Sequence, residues 1–190
     1  VPGTNLAEVI EFARRNPGKV SYGSSGIGTT HHLSGVIIEQ LSGARMEHVP
    51  YKAGAQGLID TVAGRIHLMF GTLGTMTPQL GPGKLRLLGI NNGKRYPGTP
   101  EVPTIAEILP GYDRPPSWVG YLGPAGMPSP LVQRLHAELN KAVLAPDTVE
   151  RLAQQGILAD TSSSAEFAAF IRRNVEAAER LMKAARIEPE

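Results

Sequence analysis

The residues with the most chemical potential lie in one short run, Gly23-Ser24-Ser25-Gly26-Ile27-Gly28-Thr29-Thr30. Gly26 and Gly28 permit a tight turn that presents backbone N–H groups. Thr29 is a natural N-cap, and the hydroxyls of Ser24, Ser25 and Thr30 add donors. Leu33, Val36, Ile37 and Leu41 then recur at helical spacing, so the run opens a helix. Unpaired N–H groups and the positive end of a helix dipole attract anions. Three readings stand on these residues alone. The run is a seat for a carboxylate or phosphate, a turn that only caps the helix, or a catalytic loop. Sharper motifs are excluded: a dinucleotide fingerprint needs glycine at His31, a Walker loop needs Gly-Lys-Ser/Thr, and a nucleophile elbow needs glycine at Ile27.

The five histidines are His31, His32, His48, His67 and His136. His31 and His32 are adjacent, face different sides of a helix and cannot form a paired ligand set. There is no His-Glu-x-x-His, and no metal site is expected. His32 sits where it can hydrogen-bond the glycine loop. His67, between Ile66 and Leu68, reads as structural. The first half holds only Glu8, Glu11, Glu39, Glu47 and Asp60 as carboxylates. Asp60 reads as a surface or helix-end residue. No pair suggests a general acid and base, and none completes a Ser–His–Asp set. No cofactor is expected.

These residues need a scaffold, and residues 1–113 alternate helix and strand. Thr4 is placed to cap a first helix carrying Leu6, Val9, Ile10 and Ala13, which Pro17-Gly18 ends. Strands are expected at Val20–Tyr22, Met46–Val49, Ile66–Phe70 and Leu85–Ile90. Helices are expected after the glycine loop up to Gly43, at Ala55–Ala63 and near Thr75–Leu80. Such alternation with short loops implies a mostly parallel sheet covered on both faces. Thr104-Ile105-Ala106-Glu107 is a capping box for one more short helix. Residues 110–117 form a proline-rich connector, and Trp118–Gly123 reads as a strand. Ser129-Pro130 opens a helix to about Leu144, and Asp147 caps another. Ser163 to Glu166 is a second capping box. It opens a helix to about Ala185, with Phe167, Phe170, Ile171, Val175, Ala178 and Met182 inward.

Composition narrows the classes. Of 190 residues, 41% are hydrophobic and 19% charged, which reads as globular. Cysteine is absent, which excludes disulfides, thiolate metal sites and a cysteine nucleophile. Net charge is +2, with ten Lys/Arg against five Asp/Glu in residues 1–95 and nine against twelve in residues 96–190. The basic residues are scattered and aromatics are 5%, so no nucleic-acid partner is expected. The apolar runs are too short to insert in a membrane. Val1 opens the chain without methionine or leader, which reads as a processed or truncated product.

The ordered motifs resemble those of the tripartite tricarboxylate transporter solute-binding proteins, the Bug family. Tyr22–Leu33 is similar to their G-S-S-G-x-G-[ST]-x-x-H-L segment. His48-Val49-Pro50-Tyr51-Lys52 resembles H-V-P-Y-K, Gly83–Arg86 resembles G-K-L-R, and Pro100–Glu107 resembles P-[DE]-V-P-T-x-A-E. Trp118-Val119-Gly120 and Pro124-Ala125-Gly126 follow in the same order. The resemblance implies a type II periplasmic-binding-protein fold, the two-lobed Venus flytrap. The implied protein is periplasmic and not an enzyme. It captures a small organic carboxylate for the membrane subunits of a transporter. Residues 1–113 would be lobe two, and 114–190 the returning, incomplete helical part of lobe one. The family's opening strands, with the opposing half of the carboxylate seat, would precede Val1. The chain alone is therefore expected to bind weakly.

By the same resemblance the ligand contacts are Ser24, Ser25, Gly28, Thr29, Thr30, Gly71, Thr72 and Trp118. His67 and Gly71 depart from the aspartate and the polar residue common in relatives, and Ala53 replaces a glycine. Two other functions share parts of this pattern. One is the ligand-sensing effector domain of a transcription regulator, which needs a helix-turn-helix segment upstream. The other is a hydrolase using Ser24 or Ser25, which lacks a base.

Overall fold

The computed structural model describes residues 1–184 and Ile187. The chain forms two compact units: Val1–Pro115 with the end of the chain from Arg180, and Pro116–Glu179.

In the first unit, helix α1 (Leu6–Arg15) buries Leu6, Val9, Ile10 and Ala13. Its cap is Asn5, whose side chain accepts the Glu8 N–H. Thr4, expected in that role, stands one residue outside and donates its N–H and hydroxyl to Glu8 Oε2. Strand β1 (Ser21–Ser24) leads through the glycine loop to α2 (Thr30–Ser42). Gly43 closes α2 in the left-handed region at φ 70°. Strand β2 (Glu47–Pro50), α3 (Gly54–Val62), β3 (Leu68–Met69), α4 (Leu73–Leu80) and α5 (Ile105–Ile108) follow.

The sheet is parallel, in the order β2-β1-β3. Tyr22 pairs with His48 on one side and Leu68 on the other. Side chains alternate across β1, and both faces are covered. Tyr22 is fully buried and lies so close to Gly35 of α2 that a Cβ there would clash with the hydroxyl end of its ring. Gly23 faces Tyr51 and Ile66 instead, and Tyr51 packs on Gly57 of α3. The core joins α1, Val20, Ile37 and Ile38 of α2, Ile105 and Tyr112, with Leu88 and Leu181 against it.

The strand expected at Leu85–Ile90 does not form. Only Ile90 pairs, in an isolated parallel bridge with Thr104. Residues 85–89 have no ladder beside them among the described residues, and packing of Leu88 against the core holds the segment. Thr104 and Glu107 make the expected capping box for α5.

The second unit contains α6 (Ser129–Val143), α7 (Pro146–Gln154) and most of α8 (Ser164–Ala184). The caps of α6 and α7 are Pro128 and Ala145, so Ser129 and Asp147 fall inside the first turns. Ser163 and Glu166 exchange the capping-box bonds at the start of α8. Its expected last residue, Ala185, lies outside the described residues. Val175, expected inward, is 51% exposed. Trp118–Gly123 is not a strand: Val119, Tyr121 and Leu122 are exposed, and no described strand pairs with them. Its β-favouring residues promise a strand only where a partner edge exists.

Candidate functional site

All three strands run the same way, so β1, β2 and β3 end at one edge. Each is followed there by a helix start, at α2, α3 and α4. The carboxyl ends of parallel strands are where α/β folds place ligands.

The β1–α2 loop is the most elaborated of the three connections. Thr29 caps α2, its hydroxyl oxygen accepting the His32 N–H and donating to Gly26 O at 2.7 Å. Gly26 (φ 124°) and Gly28 (φ 73°) take conformations that a side chain would strain. The Gly26 N–H donates to Ser24 Oγ at 3.1 Å, and the Gly28 N–H to His32 Nδ1 at 3.0 Å. The N–H groups of Ser25, Ile27 and His31 have no partner among the described residues. His31 lies in the first turn of a 13-residue helix, and Ser25 and Ile27 in the loop that leads into its positive end. That arrangement can hold an anion.

The structure places the eight expected residues differently. Ser24 is fully buried, and its hydroxyl belongs to the loop's own bonding. Ser25 is exposed, while Gly28, Thr29 and Thr30 are half-buried. Gly28 shapes the turn and gives its N–H to His32. Gly71 and Thr72 lie at the same strand edge, both exposed, with Thr72 capping α4 and its hydroxyl 2.7 Å from that of Thr75. A Cβ on Gly71 would lie 2.6 Å from Met76 Cε, so methionine fills the space a polar side chain would need. Trp118 belongs to the second unit, edge-on to Phe167 with centroids 5.1 Å apart.

Two histidines emerge that the spacing did not single out. His48 Nε2 is 2.6 Å from Ser24 Oγ, and its ring stacks on His32 with centroids 3.9 Å apart and planes 8° apart. His31 Nδ1 is 3.0 Å from Ser25 Oγ. The expected bond from His32 to the glycine loop is present. Burial lowers the proton affinity of His31 and His32. Burial, then the neighbouring His32, pushes His48 down to about 4. All three rings are therefore neutral at pH 7. His67 is held by the Ser21 N–H, at 3.0 Å from Nδ1. Asp60 does more than occupy a helix end: it accepts from the Tyr51 hydroxyl at 2.8 Å and pairs with Arg65 at 2.6 Å.

Serine beside histidine suggests nucleophilic chemistry, but no carboxylate hydrogen-bonds to His31, His32 or His48 among the described residues. The orienting third group is missing. Among the described residues no cluster of three His, Asp or Glu could hold a metal ion. No described helix is long and apolar enough to cross a membrane.

Residues 1–187 match the family described as the tripartite tricarboxylate transporter family receptor. A protein encoded in a tcbD–tcbE intergenic region of Pseudomonas sp. strain P51 is 39% identical over 155 residues, which are 80% of this chain and 46% of that protein. Among solved structures, Rpa4515 of R. palustris with adipate superposes with a TM-score of 0.91 at 31% identity, over 100% of this chain and 64% of that one. The periplasmic binding protein BugD superposes with a TM-score of 0.76 at 25% identity, over 100% and 64%. The chain spans about half the length of the curated relatives it matches. The matching family is one of transporter receptors, and the chain shares the fold of the periplasmic binding protein BugD.

Proposed function

The chain belongs to the tripartite tricarboxylate transporter receptor family, and from that membership we propose that it seats the ligand in a periplasmic solute receptor. The solute is a small organic carboxylate: a dicarboxylate, a tricarboxylate or a related acid. The receptor delivers it to the membrane subunits of a tripartite transporter, without inserting in the membrane itself and without nucleic acid.

One observation carries this reading. The N–H groups of Ser25, Ile27 and His31, spread over the β1–α2 loop and the first turn of α2, have no partner among the described residues. A carboxylate offers acceptors for such donors, and charge-assisted bonds are stronger than neutral ones. Neutral histidines around the loop suit a seat whose attraction comes from backbone dipoles. The adipate held by Rpa4515 supports the ligand class.

Within this reading Ser25 and Thr30 supply hydroxyls, Thr29 and Gly28 set the turn, and Ser24 supports it from beneath. Gly71 and Thr72 line the same strand edge, and Trp118 is assigned by the family resemblance alone. Residues 1–113 are lobe two and residues 114–190 the returning part of lobe one. The unit boundary at Pro115–Pro116 supports a division at that point, although the chain from Arg180 groups with the first unit.

Calorimetric titration of the intact protein with mono-, di- and tricarboxylates tests the proposal. Micromolar binding of at least one acid is expected, about 8 kcal/mol of affinity. Absence of binding across the panel, with the protein folded, would refute it.

A further inference from the structure

Two imidazoles grip the Ser24–Thr29 loop, one at each end. His32, in the first turn of α2, accepts the Gly28 N–H at Nδ1, 3.0 Å away. His48, on β2, meets the Ser24 hydroxyl with Nε2 at 2.6 Å. The rings lie parallel and in contact, and Tyr22 of β1 stacks on His48 with centroids 5.0 Å apart. One stacked unit from three elements thus reaches both ends of a single loop.

The unpartnered donors depend on that grip. Gly28 is left-handed and its N–H is turned to His32, while Gly26 turns its N–H back to Ser24 Oγ. The N–H groups that remain for a ligand are those of Ser25, Ile27 and His31. The geometry points to the His32–His48 pair as the positioning unit of the anion seat: it holds the loop in its accepting turn without touching the ligand. This rests on the carboxylate reading above.

The pair has a defined protonation requirement. A backbone N–H only donates, so His32 Nδ1 must carry a lone pair and Nε2 the proton. A proton added at Nδ1 sets two donors against each other and breaks the Gly28 bond. A charge on either ring opposes a charge on its stacked partner. Tyr22, facing the pair from β1, stays protonated because burial raises its hydroxyl. On α2, Glu39 is tied to the Met46 N–H at 2.6 Å, and His31 to Ser25. No carboxylate bonds to either ring among the described residues, so nothing there stabilises an imidazolium. The seat is set at neutral pH and loosened by acid.

Nitrogen-15 NMR and calorimetric titration of adipate, both on the intact protein between pH 4.5 and 8, test this. His32 is expected to show a bare Nδ1 and a protonated Nε2. The Gly26 and Gly28 amide signals should move in acid together with the two rings. His32→Asn, whose carboxamide oxygen replaces Nδ1, should bind within threefold of the native protein at pH 7.5. It should also lose less affinity than the native protein between pH 7.5 and 5. Comparison at each pH removes the ligand's own titration. His32→Phe and His48→Phe keep ring upon ring but lose the loop bonds, and each should bind at least tenfold more weakly. A protonated Nδ1, or native affinity in both phenylalanine variants, would overturn the inference. Failure of the native protein to bind any acid would instead refute the receptor reading. The His32 tautomer and the acid response of Gly28 would then still decide whether the pair grips the loop.

Discussion

Gly35→Ala puts the junction between α2 and the sheet under direct test. A methyl group there would overlap the Tyr22 ring and lie 2.6 Å from its hydroxyl oxygen. The ring has no room to retreat. It is fully buried, edge-on to Phe70 at 6.0 Å and stacked on His48 at 5.0 Å. Overpacking a tight core costs about 1–3 kcal/mol, and a rigid ring puts this site near the upper end. Alanine returns about 1 kcal/mol as a better helix former than glycine. The net loss is about 2 kcal/mol. At about 4 °C per kcal/mol for a unit of this size, Tm falls by about 8 °C. Gly71→Ala is the control. Its methyl would press on Met76 Cε, also at 2.6 Å, but that is the end of a flexible chain, and its other neighbours, Met69 Cε and Met76 Sδ, lie at an ordinary 3.8 Å. Its cost should stay below about 1 kcal/mol. Tyr22→Leu combined with Gly35→Ala should recover part of the loss, because the two sites are coupled. Differential scanning calorimetry reads all of these. A Gly35→Ala protein as stable as the native one would refute the packing argument.

Two further outcomes follow from the same structure. Thr104→Ala removes the α5 cap, whose hydroxyl accepts the Glu107 N–H at 3.2 Å, and should cost about 1 kcal/mol by urea denaturation at pH 7. Acid should also weaken the fold through His48. Its folded value, about 4, lies below the ordinary 6.5, so the unfolded chain takes up the proton first. Stability is full above pH 6.5 and falls as pH drops towards 4. The gap would be worth about 3 kcal/mol for a wholly buried ring and about 1–2 kcal/mol with partial exposure. Urea titrations at pH 7.5 and 4.5 measure it, and His48→Phe should flatten the difference.

The glycine loop was legible because its signals are local. Gly26, Gly28 and Thr29 declare a turn and a cap within a few residues, and His32 lies one helical turn from the cap. His48 was not, since its partner Ser24 stands 24 residues away and meets it only through the parallel register of β1 and β2. The same limit explains the missing strands. Leu85–Ile90 and Trp118–Gly123 carry strand-forming residues, but a strand needs an edge to pair with, and that edge is a property of the tertiary fold. Thr4 misled because Asn5, beside it, caps equally well, and both can reach Glu8. Val175 fits the apolar stripe of α8, yet helical periodicity names a face without saying how much of it is covered.

The most direct test of the seat is an amide titration. The nitrogen-15-labelled intact protein is titrated with adipate at pH 7.5, and every backbone N–H is followed. The account predicts the largest shifts at Ser25, Ile27 and His31, with downfield movement of their protons as they take up a carboxylate. Saturating shifts elsewhere in the chain, with these three amides unmoved, would contradict it.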